Sequence, residues 1–385
     1  MFYELRKSSK LEFQIELSDY CNSKCPACAR FTDGRNGLVA SKTVDKHEIS
    51  YESFSSWFSS DFLRDKVSSL RINGQVGEST LCKDLLKIVR YVGKSSPDIH
   101  YFAISTNGGT NDKIWWHKLG REFSKIKNSR IVFAIDGLED TLSLYRINVD
   151  FNKVIENAKA FINAGGNAQW RMLTFEHNQH QVKDCKKMSE ELGFSSFVVR
   201  PTGGFTSNNE LKYTYRGKDG ILKPPANQEN IMKVPESLSP TEIQCSASLD
   251  DDGNFINRLT IDNRGVVHPC CFFSYECRRV YHKFYETGNP NHPPEFGVGK
   301  RTNMYYNSVA NLLEEQGGIK SICLYYSTLD EILETPFYKE RLENSWKTKN
   351  HNGDLSVCGY MCSKNIKQQG NYHRMGKGYI QHALI

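Results

Sequence analysis

Six short apolar segments alternate with helical stretches up to about residue 203, and that alternation restricts the fold more than any other feature of the chain. The segments are Phe13–Leu17, Ser69–Asn73, Tyr101–Ser105, Ile131–Ile135, Ala168–Phe175 and Phe197–Arg200. Short runs rich in branched and aromatic residues read as strands. Between them, Leu81, Leu85, Ile88, Val89 and Val92 recur at helical spacing. So do Val154, Ala158, Phe161 and Ile162 before Gly165-Gly166, and Val182, Cys185, Met188 and Leu192 before Gly193. Tyr51, Phe54, Trp57 and Phe58 share one face of an earlier helix. Apolar side chains at that period make a buried face, and a glycine after the last turn stops a helix. Strands alternating with helices predict a parallel sheet with crossover connections, hence an α/β fold. Six units are two short of a closed eightfold barrel.

The first strand leads into Cys21-Asn22-Ser23-Lys24-Cys25-Pro26-Ala27-Cys28, three cysteines spaced C-x3-C-x2-C. The thiols therefore sit on a loop past the carboxyl end of a strand, where α/β folds carry their chemistry. Closely spaced thiolates hold iron–sulfur clusters or zinc. Three ligands leave one metal corner open to something that is not protein. The alternatives are a zinc or four-cysteine cluster completed from elsewhere, or three unrelated buried thiols.

Composition narrows the class. The chain has 385 residues, enough for two domains, and 50 basic against 44 acidic residues give a net charge of +6. That balance is too mild to argue for nucleic acid, and it allows an acidic substrate. No run of about 18 apolar residues suggests a membrane span, and Met1 to Lys10 is charged, unlike a signal peptide. The 12 cysteines are clustered, so metal binding in a reducing cytoplasm is expected rather than a disulfide scaffold.

The C-x3-C-x2-C loop resembles the signature of the radical S-adenosylmethionine (SAM) superfamily. The resemblance implies a [4Fe-4S] cluster held by Cys21, Cys25 and Cys28, with SAM chelating the fourth iron. The residue before the third cysteine is usually aromatic in that family and is Ala27 here. Gly77-Glu78, at the end of the second strand, resembles the Gly-Gly-Glu motif that holds the SAM amino group, with Val76 in place of the first glycine. By the same resemblance, Asn107 and Asp136 at the next strand ends are candidates for the ribose hydroxyls, and Arg146 for the SAM carboxylate. Arg171, on the fifth strand, completes the candidate cofactor-binding set. The family's partial (β/α)6 barrel, open on one side to large substrates, fits the six units.

From about 204 to 243 the chain is polar and proline-bearing and reads as a linker or lid over the barrel mouth. A second cysteine group follows. Asn254 to Asp262 and Val266-Val267 read as a hairpin turning at Asn263-Arg264-Gly265. Then come Pro269-Cys270-Cys271, Cys277, an aromatic and glycine-rich insertion over 278–325, a helix expected over Leu329 to Trp346, and Cys358-Gly359-Tyr360-Met361-Cys362. This pattern resembles the SPASM/twitch extension of radical SAM enzymes. The resemblance implies a small α+β domain holding one auxiliary [4Fe-4S] cluster on Cys245, Cys270, Cys358 and Cys362. A structural zinc on the same thiols is the alternative.

The expected organisation is a barrel over 1–203, a linker or lid over 204–243, a cluster domain over 244–365 and a surface tail over 366–385. The resemblance implies an enzyme that cleaves SAM reductively to a 5′-deoxyadenosyl radical, which takes a hydrogen atom from a substrate. An external electron donor such as flavodoxin or ferredoxin is implied with it. With no peptide-binding segment ahead of the first strand, the expectation tilts to a small molecule or a carrier-delivered substrate. A peptide- or protein-modifying maturase is the alternative within the family, and a non-catalytic iron–sulfur or zinc protein the alternative outside it.

Overall fold

The computed structural model describes residues 10–31, 38–41, 43–44, 46–202, 205, 210–226, 245, 257–294, 309–346, 358 and 362. These fall into two compact units. The larger lies within Glu16–Ser41 and Glu48–Lys233, and the other within Met1–Ile15, Lys42–His47 and Val234–Ile380.

All six expected strands form: β1 (Leu11–Ile15), β2 (Val67–Ile72), β3 (Tyr101–Thr106), β4 (Ser129–Ala134), β5 (Ala168–Thr174) and β6 (Ser196–Pro201). In the larger unit, β2 to β6 pair in sequence order and all in parallel. Helices connect them: α1 (Tyr51–Trp57), α2 (Ser60–Lys66), α3 (Leu85–Ser95), α4 (Lys113–Phe123), the short α5 (Leu142–Tyr145), α6 (Phe151–Asn163) and α7 (Val182–Glu191). The starts of α4 and α6 are fixed by Asp112 and Asp150, whose carboxylates accept the Trp115 and Lys153 amides. α3 buries Leu85, Ile88, Val89 and Val92, as its spacing predicts.

The helices cover one face of this sheet. Phe102 stacks on Phe123 at 5.3 Å between centroids, Trp116 meets Phe133 at 5.1 Å, and Phe123 meets Phe161 edge-on at 5.4 Å. This aromatic layer fixes the helical side of the sheet and leaves the polar side to the site.

The polar stretch after β6 holds a hairpin that the sequence does not announce, β7 (Leu211–Tyr215) and β8 (Lys218–Leu222). Arg216 and Gly217 both take positive φ, 51° and 73°, the two-residue turn whose twist suits antiparallel strands. The rest of the expected lid, 204, 206–209 and 227–243, lies outside the described residues.

In the smaller unit, β1 pairs in parallel with β9 (Arg258–Ile261), and β9 pairs antiparallel with β10 (Val267–His268). The hairpin turns at Gly265, as expected, with φ 74°. Cys270 caps α8 (Cys271–Val280), followed by α9 (His282–Thr287). Much of the expected 278–325 insertion is therefore ordered core, with Val280, Tyr281, Phe284 and Tyr285 buried. The helix expected over Leu329 to Trp346 is broken. α10 (Leu329–Leu333) ends before Pro336, and a wider turn restarts at Phe337. Proline lacks the amide donor and disfavours helix in the residue before it. The tail over 366–385 lies outside the described residues.

Candidate active site

The site is built on strand ends of the larger unit. Lys24 donates its amide to the Ile147 carbonyl at 3.0 Å, and the Cys28 amide turns back to the Cys25 carbonyl at 3.0 Å. The Ser23 hydroxyl lies 3.0 Å from Cys25 Sγ, and the Arg30 amide lies 3.5 Å from Cys28 Sγ. Arg30 also ties the loop down, its guanidinium donating to the carbonyls of Asp19 and of Val76, the latter at 2.8 Å. Cys21, Cys25 and Cys28 line one small open cavity, together with Gly74 to Glu78, Ser105 to Asn107 and Arg146.

Glu78 is brought in by a close backbone approach. Its amide donates to the Tyr20 carbonyl at 2.6 Å. A Cβ on Gly77 would sit 1.7 Å from the Ser18 carbonyl oxygen, so only glycine permits that approach. The Glu78 carboxylate is buried and held firmly. Oε1 accepts from the Thr80 amide at 3.1 Å and from the Thr80 and Thr106 hydroxyls at 2.7 Å each. Oε2 accepts only the Asn107 amide, at 2.7 Å. One lone pair of Oε2 is therefore left for a donor in the cavity. The Asn107 side chain bridges Asn22 Oδ1, at 2.8 Å, and the Gly109 amide, at 2.8 Å, so it locks the cysteine loop to the end of β3.

Asp136 lies apart from the cavity, and Arg146 lies within it. Asp136 is fully buried, and it does not line the cavity. Its Oδ1 accepts the Leu173 amide at 2.7 Å, and its Oδ2 accepts Arg146 Nε at 2.6 Å. A carboxylate sealed in this way has no free edge for a sugar. It positions Arg146, which does line the cavity, donates from Nη1 to Cys25 Sγ at 3.8 Å, and leaves Nη2 buried without a partner. Burial disfavours the Arg146 charge, but Asp136, Cys25 and Tyr145 outweigh it and hold the guanidinium protonated. Arg171 does not line the cavity either.

The three thiols of the loop, gathered on one cavity, are a donor set of the kind that holds a metal group. Burial, then the Glu78 charge and the neighbouring thiols, push Cys21 up, and burial with Cys25 pushes Cys28 up to about 11. Such thiols give up their protons only to a cationic centre. Among the described residues no three Cys, His, Asp or Glu side chains converge on a point where one metal ion would sit.

The hairpin β7–β8 is the part of the site that sequence reasoning missed. Leu222, Leu211 and Tyr213 pack with Cys25, Cys28, Tyr145, Leu173, Phe175 and Phe205 in one apolar cluster. Tyr215 donates to Asn148 Oδ1 at 3.1 Å. Arg216-Gly217 between alternating residues was the signal available in the sequence.

In the smaller unit, Cys358 and Cys362 are buried, and Cys245 and Cys270 are half-buried. Burial pushes Cys270 up, and the charges of Cys271, Cys245 and Cys358 push it further. Burial and Cys245 push Cys358 up to about 12. Cys245, Cys270 and Cys358 thus lie in one another's field, with Cys271 among them. Cys270 and Cys271 occupy the cap and first turn of α8. Burial pushes Cys277 and Cys323 up, and the Asp262 charge adds to it.

No family model matches the sequence, and no curated protein matches it. Its fold is similar to solved structures. Streptococcus suis SuiB bound to S-adenosylmethionine is 17% identical with a TM-score of 0.49, the match covering 92% of this chain and 79% of SuiB. anSMEcpe with bound AdoMet is 13% identical with a TM-score of 0.47, covering 97% of this chain and 98% of its own. The radical S-adenosylmethionine methyltransferase TsrM from Kitasatospora setae is 12% identical with a TM-score of 0.38, over 56% of this chain and 39% of TsrM.

Proposed function

We propose that this protein is a radical SAM enzyme. Three thiols, a buried carboxylate with one free lone pair and an arginine with an unpartnered Nη2 share one cavity, and that convergence carries the reading. Cys21, Cys25 and Cys28 would hold a [4Fe-4S] cluster, which together with SAM supplies the 5′-deoxyadenosyl radical for hydrogen abstraction. Glu78 Oε2 would accept the SAM ammonium. Arg146 would offer Nη2 to an anionic group while Nη1 stays on Cys25 and Asp136 keeps the guanidinium in place. The β7–β8 hairpin keeps water from the Cys25 side of the loop. Cys245, Cys270, Cys358 and Cys362 are proposed to hold an auxiliary cluster.

The test of the class is spectroscopic. Adding SAM to the reduced, iron-loaded protein is expected to perturb the electron paramagnetic resonance signal of one cluster. A spectrum unchanged by SAM, with the cysteine-loop cluster present, would contradict the reading.

A further inference from the structure

Glu78 is the one carboxylate among the described residues that line the cysteine cavity. The four groups that donate to it are all neutral: the Thr80 and Asn107 amides and the Thr80 and Thr106 hydroxyls. Neutral donors orient a carboxylate without cancelling its charge, which stays available to a cation. Their distribution is lopsided. Oε1 takes both hydroxyls and the Thr80 amide, more donors than its two lone pairs, while Oε2 takes the Asn107 amide alone.

A threonine hydroxyl can donate or accept, and its other partners set the sense. The Gly108 amide, which can only donate, meets Thr106 Oγ1 at 2.9 Å and turns the Thr106 proton toward Glu78. Thr110 Oγ1 stands 2.5 Å from Thr80 Oγ1 and itself receives Asn111 Nδ2 at 3.2 Å. An ionised carboxylate only accepts, so the Thr80 proton goes to Oε1 and Thr80 Oγ1 accepts from Thr110. Glu78, Thr80, Thr106 and Thr110 are all buried, where such a chain of hydrogen bonds is strengthened by the low dielectric. Its far end is anchored in two helices. The Thr110 carbonyl accepts Trp116 Nε1 of α4 at 2.9 Å and Asn157 Nδ2 of α6 at 3.0 Å. Asn111 Nδ2 also donates to the Thr80 carbonyl at 2.7 Å.

We propose that Thr80 and Thr106 are positioning residues for the cationic amino group of SAM, an inference that rests on the radical SAM reading. By saturating Oε1 they leave Oε2 as the acceptor, so the ammonium meets the carboxylate at one atom and from one direction. Thr110 and Asn111 hold the sense of the Thr80 hydroxyl. Thr80 is not among the residues that line the cavity, so its effect on SAM passes through Glu78.

Calorimetric titration of SAM into the iron-loaded full chain tests this, with Thr80→Val, Thr106→Val, Thr80→Ser and Thr106→Ser. Each valine variant is expected to lose about three- to tenfold in SAM affinity. Each serine variant keeps the hydroxyl and is expected to bind like the parent. In a Glu78→Gln background the valine substitutions are expected to change SAM affinity no further. Unchanged affinity in both valine variants overturns the proposal, and so do serine variants as weak as the valine ones. A valine effect of full size in the Glu78→Gln background overturns it too, since the hydroxyls would then act without the carboxylate. A Thr80→Val protein that no longer loads iron on the cysteine loop makes that hydroxyl structural and also overturns it. The parent separates the two readings. A parent that binds SAM, with both valine variants unchanged, refutes only the positioning role. An iron-loaded parent that binds no SAM refutes the radical SAM reading and the positioning role with it.

Discussion

Arg146 Nε donates to Asp136 Oδ2 at 2.6 Å, with both side chains buried. The pair joins the cysteine loop to the sheet, since Arg146 also reaches Cys25 and Asp136 accepts the Leu173 amide. Breaking a buried pair from one side leaves the other charge uncompensated, at about 3–5 kcal/mol. Arg146→Met is expected to lose stability of that order in urea unfolding. Asp136→Asn/Arg146→Met is expected to recover most of it. Additive losses in the double variant would contradict the pairing.

Glu78→Gln is expected to weaken SAM binding while the cysteine-loop cluster still loads with iron. A charge-assisted hydrogen bond is worth about 1.5–3 kcal/mol, which corresponds to roughly ten- to a hundredfold in affinity. Calorimetry on iron-loaded protein measures it, and an unchanged SAM affinity would remove Glu78 from the site.

Asp262 sets a pH dependence in the smaller unit. Burial opposes its charge, but His268 at 2.8 Å, Arg278 and the Tyr285 hydroxyl at 2.6 Å outweigh it and bring its pKa down to about 2. A depressed carboxyl pKa stabilises the fold above the unfolded value, near 4, and that contribution is lost as the pH falls through about 2. The gap in urea midpoint between the parent and Asp262→Asn is therefore expected to shrink as the pH falls below about 4. A gap that widens on acidification would contradict the assignment.

The auxiliary thiols predict a metal count. With both clusters loaded, iron analysis is expected to give about eight irons per chain, falling to about four in Cys358→Ala/Cys362→Ala. Iron lost from Cys271→Ala and kept in Cys270→Ala would exchange those two ligands. Stoichiometric zinc after anaerobic purification would replace the cluster with a structural zinc site.

The strands and the cysteine loop were legible because their signals are local. Period and spacing alone locate β2 to β6 and place Cys21, Cys25, Cys28 and Glu78 at strand ends. What failed to show depends on partners distant in sequence. Asp136 looks like a free carboxylate at a strand end until Arg146 and the Leu173 amide close around it. Arg171 reads as one more strand residue, because its neighbours Arg71 and Arg200 come from strands about 100 and about 30 residues away. The β7–β8 hairpin hid in a polar stretch whose apolar contacts are made with the cysteine loop rather than within itself. Pro336 is written in the sequence, and it breaks the helix that the apolar spacing predicts over Leu329 to Trp346.

The central claim is that three thiols and Glu78 build a site for reductive SAM cleavage. The most direct measurement is 5′-deoxyadenosine formed from SAM by the reduced, iron-loaded protein, compared with Cys21→Ala/Cys25→Ala/Cys28→Ala. The account predicts 5′-deoxyadenosine and methionine from the parent and none from the triple variant, which should still hold its auxiliary iron. Full cleavage in the triple variant, or none in a parent carrying the cysteine-loop cluster, would contradict it.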